Sequence, residues 1–211
     1  MKTIIWDFNG TILDDVDVAV KILNAILEEL EYPQRFTVEQ YKDIFTFPVI
    51  EYYIKAGFDF NKHSFEYIAD IYFKYYKLYI QEAKINNNFM NLFNLFKDKG
   101  YKNVIISATR QDMLDIELDK YNMKNLFDEA LGINDIYAKS KIELAINWNN
   151  NSKYANSDKI YIGDTVHDYE VANSIGCKSY IVSSGHQSTK VLLKNGIQPY
   201  KDLEEVLKCF V

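Results

Sequence analysis

Residues 4–15 read IIWDFNGTILDD, and this stretch decides how the rest of the sequence is interpreted. An apolar run typical of a buried strand ends on the carboxylate Asp7, and a long helical pattern begins only at Asp14. Asn9-Gly10 alone would indicate a hairpin, but the residues that follow have helical spacing and supply no partner strand. The stretch therefore predicts a strand that brings an acidic side chain to the edge of a sheet.

The composition restricts the classes of function. The 211 residues are 48% hydrophobic, which supplies ample material for a core. A net charge of −6 argues against nucleic acid or an anionic membrane as the main partner, so a small anionic substrate would need locally placed cations. The two cysteines have no zinc spacing, no apolar run approaches the roughly 18 residues of a spanning helix, and the N-terminus is unlike a signal peptide. We expect a cytoplasmic protein that is a monomer or homodimer.

The chain divides into two kinds of pattern. Helical spacing predominates over residues 14–85, which we call the helical block, and strands alternate with amphipathic helices after Asn88. Such alternation predicts an α/β fold, a Rossmann-like doubly wound parallel sheet interrupted by an inserted all-helical segment. The predicted domains are a core of residues 1–13 and 86–211 and the helical block of residues 14–85. The predicted strands are 2–7, 103–107, 129–133, 159–163 and 178–183.

Acidic and hydroxyl side chains stand where three predicted strands end. Asp7, Ser107 and Asp164 occupy these positions, and Asp168 follows one helical turn after Asp164. Ligands bind beyond the carboxyl ends of the strands in an open parallel sheet. Carboxylates gathered there would repel one another unless a cation lay between them, and oxygen-only ligands suit magnesium.

Each acid also has an ordinary structural interpretation. Asp14 and Asp15 are expected to cap the helix that follows, and Asp168 alone could be an N-terminal helix acid. The three histidines lie far apart in the sequence, so each is expected on the surface or satisfied in the core.

Taken together, the motifs resemble the haloacid dehalogenase superfamily, in particular its phosphatase branch with a helical cap, which includes phosphoglycolate phosphatase and beta-phosphoglucomutase. The family pattern Asp-x-Asp-Gly-Thr is matched by residues 7–11 at every position except Asn9. The strand ending in Ser107 corresponds to the second motif, a lysine before a helix to the third, and Gly163-Asp164 with Asp168 to the fourth. In this resemblance the helical block is the cap domain.

The resemblance implies a function and a set of roles. The chain would be a magnesium-dependent hydrolase of a small phosphorylated metabolite, acting through an aspartyl phosphate formed on Asp7. The resemblance assigns the catalytic residues as Asp7, Asn9, Ser107 and Lys141, the phosphate-binding residues as Gly10, Thr11, Ala108 and Arg110, and the Mg²⁺ ligands as Asp7, the backbone carbonyl of Asn9, Asp164 and Asp168.

Two lysines compete for the third motif. Ser140 and Glu143 form a capping-box pattern, which places Lys141 at the first helical position. A cation there opposes the helix dipole unless an anion shares the site. We therefore choose Lys141 over Lys139.

Asn9 is the one departure from the family pattern. The family's acid at this position protonates the leaving oxygen and later activates water, and an amide can do neither. Loss of such help typically costs about 10²–10⁴ in rate, so hydrolysis could be slow or selective for esters with good leaving groups. Two alternatives remain: a phosphonate-cleaving enzyme that uses Lys42 or Lys55 as a Schiff base, and a protein that binds phosphorylated ligands or a protein partner and catalyses little.

The helical block is rich in aromatic residues. Most of these side chains are expected to pack between helices, with one or two left to line a pocket. Arg110, Lys42 and Lys55 are candidates for pairing with a second anionic group on the substrate. The sequence does not identify that substrate.

Overall fold

The structure is a computed structural model that describes residues 1–134 and 141–211. Lys139 and the serine of the predicted Ser140–Glu143 capping box lie outside the described residues.

A parallel sheet of five strands forms the centre of the molecule, which confirms the predicted α/β class. Its order is β5-β4-β1-β6-β7, so the first strand is central and pairs with β4 on one side and β6 on the other. The strands are β1 (Lys2–Trp6), β4 (Lys102–Arg110), β5 (Glu129–Ile133), β6 (Asp158–Gly163) and β7 (Lys178–Ile181).

Alternation along β1 explains why both faces of the sheet are covered. Ile4 and Trp6 belong to one buried cluster and Ile5 to another, as expected when successive side chains point to opposite faces. Helices α5 (Phe89–Asp98) and α10 (Leu203–Leu207) contribute to the first cluster, and α7 (Lys141–Asn151) and α8 (Val166–Ser174) to the second. The remaining helices after the helical block are α6 (Gln111–Lys120) and α9 (Thr189–Lys194).

Local sequence signals position the helices of the helical block. Thr37 and Gln40 form a capping box at the start of α2, Pro48 precedes α3, and Gly57 ends α3 with a φ of 96°. The Ser64 side chain accepts a hydrogen bond from the backbone of Tyr67 at the start of α4. The four helices are α1 (Val16–Glu29), α2 (Val38–Ile44), α3 (Val49–Ala56) and α4 (Phe65–Tyr79), and a 3₁₀ turn (Ile80–Glu82) follows.

The helical block is not purely helical, which corrects the sequence-based expectation. Its two ends pair as short antiparallel strands, β2 (Leu13–Asp14) and β3 (Lys84–Ile85), with Leu13 opposite Ile85. The chain therefore leaves and rejoins the α/β part through adjacent segments. The division into domains at residues 13/14 and 85/86 stays a prediction.

No described helix is both long enough and apolar enough to cross a membrane. The cytoplasmic location and the oligomeric state stay predictions.

Candidate active site

The carboxyl edge of the sheet brings together three acids that are distant in sequence. Asp7 follows β1, Asp164 follows β6, and Asp168 lies in the first turn of α8. One carboxylate oxygen from each lies within 4.8 Å of the others, and all three side chains are buried. The parallel topology thus produces the cluster that the sequence predicts at this edge.

Lys141 provides the cation that the sequence analysis places beside these acids. It is the first residue of α7 and is only 2% exposed. Its ammonium group donates to Asp7 Oδ1 and, at 2.6 Å, to Asp168 Oδ1. Burial lowers the pKa of Lys141, but Asp168 and Asp7 outweigh burial and hold the pKa well above its usual value.

The charge balance of this cluster fits a divalent cation. When all three acids are ionised, three carboxylates and one ammonium group leave two negative charges unbalanced among these four residues. Burial, together with the neighbouring Asp168 carboxylate, raises the pKa of Asp7 well above its usual value. Burial likewise raises the pKa of Asp164 to about 6. A hard divalent ion bound to these carboxylate oxygens would favour the ionised forms of Asp7 and Asp164 and relieve the repulsion between the acids.

Neighbouring groups fix the orientation of the Asp164 carboxylate. Thr11 Oγ1 donates to its Oδ1 at 3.1 Å, and the backbone N–H of His186 donates to its Oδ2 at 2.6 Å. Gly10 has a φ of 72°, and a Cβ atom at this position would collide with the Asp164 carboxylate. Gly10 and Thr11 therefore shape the loop around this acid.

Both ends of the Asn9 amide make hydrogen bonds. Its Oδ1 accepts a hydrogen bond from Thr109 Oγ1 at 2.6 Å, and its Nδ2 donates to Asp15 Oδ2 at 2.8 Å. These contacts identify which end of the amide is oxygen and which is nitrogen. The neighbours of Asn9 therefore match an amide at this position, with an acceptor facing its nitrogen and a donor facing its oxygen.

Asp15 does not cap α1, which corrects the capping role expected for it. It occupies the N-cap position, but its side chain makes no capping hydrogen bond. It accepts instead from Asn9 and from the backbone N–H of Gly10, and it lies 3.2 Å from His186 Nε2. Burial raises the pKa of Asp15, but His186 and the hydrogen bonds outweigh burial and lower it.

Sequence reasoning missed His186, which is 6% exposed. Burial lowers its pKa, but the Asp15 carboxylate outweighs burial and raises the pKa to about 9, so His186 is cationic near neutral pH. Its Nδ1 lies 2.8 Å from the hydroxyl of Tyr41 in the helical block. The sequence feature that could have identified His186 as a site residue is its position in the loop after β7, at the same edge of the sheet as Asp164.

The second motif lies inside β4, which continues to Arg110 with an irregular register after Ile106. Ser107 Oγ accepts a hydrogen bond from the backbone N–H of Thr109 at 3.0 Å, and its own hydrogen has no acceptor among the residues that the structure describes. Ser107, Ala108 and Arg110 all line the cavity described next. The guanidinium of Arg110 makes two hydrogen bonds to Asp112, at 2.5 and 2.7 Å.

A cavity of about 210 Å³ lies between the acidic edge and the helical block. The expectation that only one or two aromatic residues of the block would line a pocket was wrong. Rings from α2, α3, α4 and the α2–α3 connection form much of the lining, namely Tyr41, Phe45, Phe47, Tyr52, Tyr53, Phe65, Tyr72, Phe73 and Tyr76. The block therefore presents an aromatic surface to the acids.

The helical block is docked against the loop after β7. Lys42 donates to the backbone carbonyls of Ser183 and Ser184 at 2.7 and 3.2 Å, and Asp43 accepts from Ser188 Oγ at 2.6 Å. Neither Lys42 nor Lys55 is among the described residues that line the cavity. The structure therefore does not favour the Schiff-base alternative.

Comparison with known proteins agrees with this geometry. A family model described as haloacid dehalogenase-like hydrolase matches residues 4–182, and the chain belongs to this family. A phosphoglycolate phosphatase from Aliivibrio fischeri is 21% identical over 204 residues, covering 88% of this chain and 86% of the relative.

Solved structures share the fold along almost the whole chain. A haloacid dehalogenase-like family hydrolase from Streptococcus pneumoniae superposes with a TM-score of 0.80 at 20% identity, covering 99% of this chain and 98% of the other. Protein tyrosine kinase A of Mycobacterium tuberculosis gives a TM-score of 0.82 at 15% identity, covering 99% and 97%. Proteins named for different activities share this fold, so the chemistry must be argued from the site.

Proposed function

We propose that the protein is a magnesium-dependent phosphatase that hydrolyses a small phosphate monoester through an aspartyl phosphate on Asp7. The observation that carries this proposal is the cluster of Asp7, Asp164 and Asp168 beside a cavity. When ionised, these acids carry two more negative charges than Lys141 balances. The relative named phosphoglycolate phosphatase supports the same reaction class.

Each residue has a role that its contacts support. Asp7 is the nucleophile, and Lys141 orients its carboxylate and favours its ionised form. Asp7, Asp164 and the backbone carbonyl of Asn9 are proposed to hold Mg²⁺. Asp168 supports the site by fixing Lys141 and by accepting from the backbone N–H of Thr165 at 3.0 Å. When bound, the ion neutralises the repulsion between the phosphate and the carboxylates.

The phosphoryl group needs donors as well as a nucleophile. The Ser107 hydroxyl hydrogen is not taken up by any acceptor in the described part of the chain, and Ala108 beside it also lines the cavity. These groups would hold the phosphoryl oxygens in line for attack by Asp7. Arg110 is less suited to this role because Asp112 already occupies its guanidinium.

The Asn9 side chain cannot exchange a proton with the leaving group. Without an acid and base at position 9, both steps are expected to be slow, and formation of the aspartyl phosphate depends on a leaving group that departs readily. Because the Asn9 amide cannot activate water, the intermediate is expected to persist longer than it would beside a carboxylate at this position.

A magnesium-supplemented assay of phosphate esters tests the proposal. Asp7→Asn should abolish phosphate release, and chelation of the metal should abolish it reversibly. Asp17→Asn provides a matched control, because Asp17 lies exposed on the neighbouring helix α1. Release that persists in Asp7→Asn would contradict the nucleophilic role. If the native protein releases no phosphate from any ester, the binding alternative takes precedence.

A further inference from the structure

The lining of the cavity differs from one suited to a carboxylated substrate. The helical block contributes aromatic rings and aliphatic side chains such as Leu23, Ile26 and Val49, and the α/β part adds Met113 and Ile133. Such a surface recognises an apolar group by excluding water from it.

The cationic side chains at the cavity are already occupied. Among the lining residues that the structure describes, these side chains are Lys141, Arg110 and His186. Lys141 contacts two carboxylates, Arg110 is bidentate to Asp112, and His186 pairs with Asp15. A carboxylate on the leaving group would therefore lose its hydration without gaining an unpaired cation in return.

The size of the cavity suits an apolar group of one ring. A cavity of about 150 Å³ lined by apolar side chains is known to hold benzene. A volume of about 210 Å³ is therefore sufficient for one aromatic ring with a phosphoryl group at the acidic end.

The state of Asn9 points independently to the same chemistry. Its amide is held by Thr109 and Asp15 and is too weakly acidic to protonate a leaving oxygen. A phenolate leaves without prior protonation far more readily than an alkoxide, because a phenol has a pKa of about 10 and water, as a model for an alcohol, one of about 15.7. An aryl ester therefore compensates for the absent acid.

We infer that the substrate class is a phosphate monoester of a single-ring phenol, a conclusion that rests on the proposed phosphatase function. Asp7 attacks phosphorus, the bond from phosphorus to the aryl oxygen breaks, and its electron pair leaves on the phenolate. Water then attacks phosphorus and the bond to Asp7 breaks. One proton of that water stays on hydrogen phosphate and the other reaches the phenolate, so aryl phosphate and water yield phenol and hydrogen phosphate.

Phosphonates that are not cleaved measure recognition of the ring alone, because the reactivity of a leaving group does not contribute to their binding. With Mg²⁺ present, benzylphosphonate should inhibit or bind at least about tenfold more tightly than methylphosphonate, since a buried ring contributes more than the 1.4 kcal/mol that a factor of ten represents. Phenyl phosphate should also have a higher kcat/KM than 2-phosphoglycolate.

A pair of variants on α4 locates the ring. Tyr72 lines the cavity, whereas Tyr67 is 50% exposed on the same helix. Tyr72→Leu should reduce the ratio of the methylphosphonate dissociation constant to the benzylphosphonate dissociation constant, and Tyr67→Leu should leave this ratio unchanged. Because both constants are measured on the same preparation, a loss of folded protein does not alter their ratio.

The outcomes distinguish the inference from the function beneath it. Ester hydrolysis that depends on Asp7, with equal affinity for the two phosphonates or with 2-phosphoglycolate preferred, would overturn the aryl class and leave the phosphatase standing. The absence of both hydrolysis and phosphonate binding would overturn both. A benzyl preference that Tyr72→Leu reduces, together with turnover of phenyl phosphate, would establish the inference.

Discussion

Replacing Asn9 with aspartate should destabilise the protein, although it restores the residue usual at this position of the family motif. The Asn9 amide nitrogen lies 2.8 Å from Asp15 Oδ2, so Asn9→Asp exchanges a charge-assisted hydrogen bond for two facing carboxylates. The lost bond is worth about 1.5–3 kcal/mol, and two ionised oxygens at this separation would repel by about 6 kcal/mol at an effective dielectric constant of about 20.

The pair can escape that repulsion by keeping one proton, which makes the cost dependent on pH. The new carboxyl would then have a folded-state pKa above its unfolded value of about 3.9, so its contribution to stability is lost as pH rises through the folded-state pKa. Between the unfolded-state and folded-state pKa values of this carboxyl, the free energy of unfolding should fall by about 1.4 kcal/mol per pH unit relative to the native protein. The deficit should reach about 3–6 kcal/mol near pH 8.

A second substitution provides the internal control. In Asn9→Asp/Asp15→Asn the carboxylate and the amide exchange places, and the hydrogen bond between them is reversed. Urea unfolding at about pH 8 in the presence of a chelator should show the double variant at least about 2 kcal/mol more stable than the single variant. Equal stability of the native and single-variant proteins at this pH, or no recovery in the double variant, would refute the arrangement of Asn9 and Asp15.

Three further predictions follow from other parts of the molecule. In urea titrations without metal, Lys141→Met should lower the free energy of unfolding by about 3–5 kcal/mol because it leaves buried carboxylates unpaired. The control Lys124→Met, at an exposed ion pair, should change this free energy by less than about 0.5 kcal/mol. Similar losses in the two variants would contradict the buried pairing. Glu117 accepts a hydrogen bond from the hydroxyl of Tyr76, while its Oε2 makes no hydrogen bond to the described residues. Burial raises the pKa of this carboxyl. The stability that Glu117 contributes is therefore present below its unfolded-state pKa and is lost as pH rises through its folded-state pKa. Glu117→Gln should therefore gain stability relative to the native protein between about pH 5 and pH 8, and a flat difference in thermal melts would oppose this. Burial raises the pKa of Cys177 to about 12, so a thiol reagent near pH 8 should label the exposed Cys209 at least about 100-fold faster, as peptide mass spectrometry would show, and equal rates would disprove the shielding.

The acidic cluster could be predicted from the sequence because topology alone determines it. Parallel strands end at one edge, so Asp7 and Asp164 had to meet once β1 and β6 were recognised as members of the same sheet. Thr37 and Gly57 were equally predictable, since capping and left-handed backbone depend on residues within one turn.

The rest of the site depends on contacts that leave no local trace. Asp15 and His186 are 171 residues apart, and an aspartate just before a helix has the same local sequence whether or not it caps that helix. The aromatic residues of the helical block have helical spacing in either case, so periodicity cannot distinguish a ring packed between helices from one that lines a cavity. The β2–β3 pair consists of two-residue strands, which are too short to produce an alternating pattern.

The central claim is that Asp7 accepts the phosphoryl group at a divalent-ion site shared with Asp164. The most direct test is to mix the protein with phenyl phosphate and Mg²⁺, quench rapidly in acid, and determine the mass of the peptide that contains Asp7. We predict that this peptide gains the mass of one phosphoryl group, and that the gain is absent without the metal and in Asp7→Asn. Turnover of the ester with the phosphoryl group on a different residue, or with the same modification in Asp7→Asn, would contradict the claim.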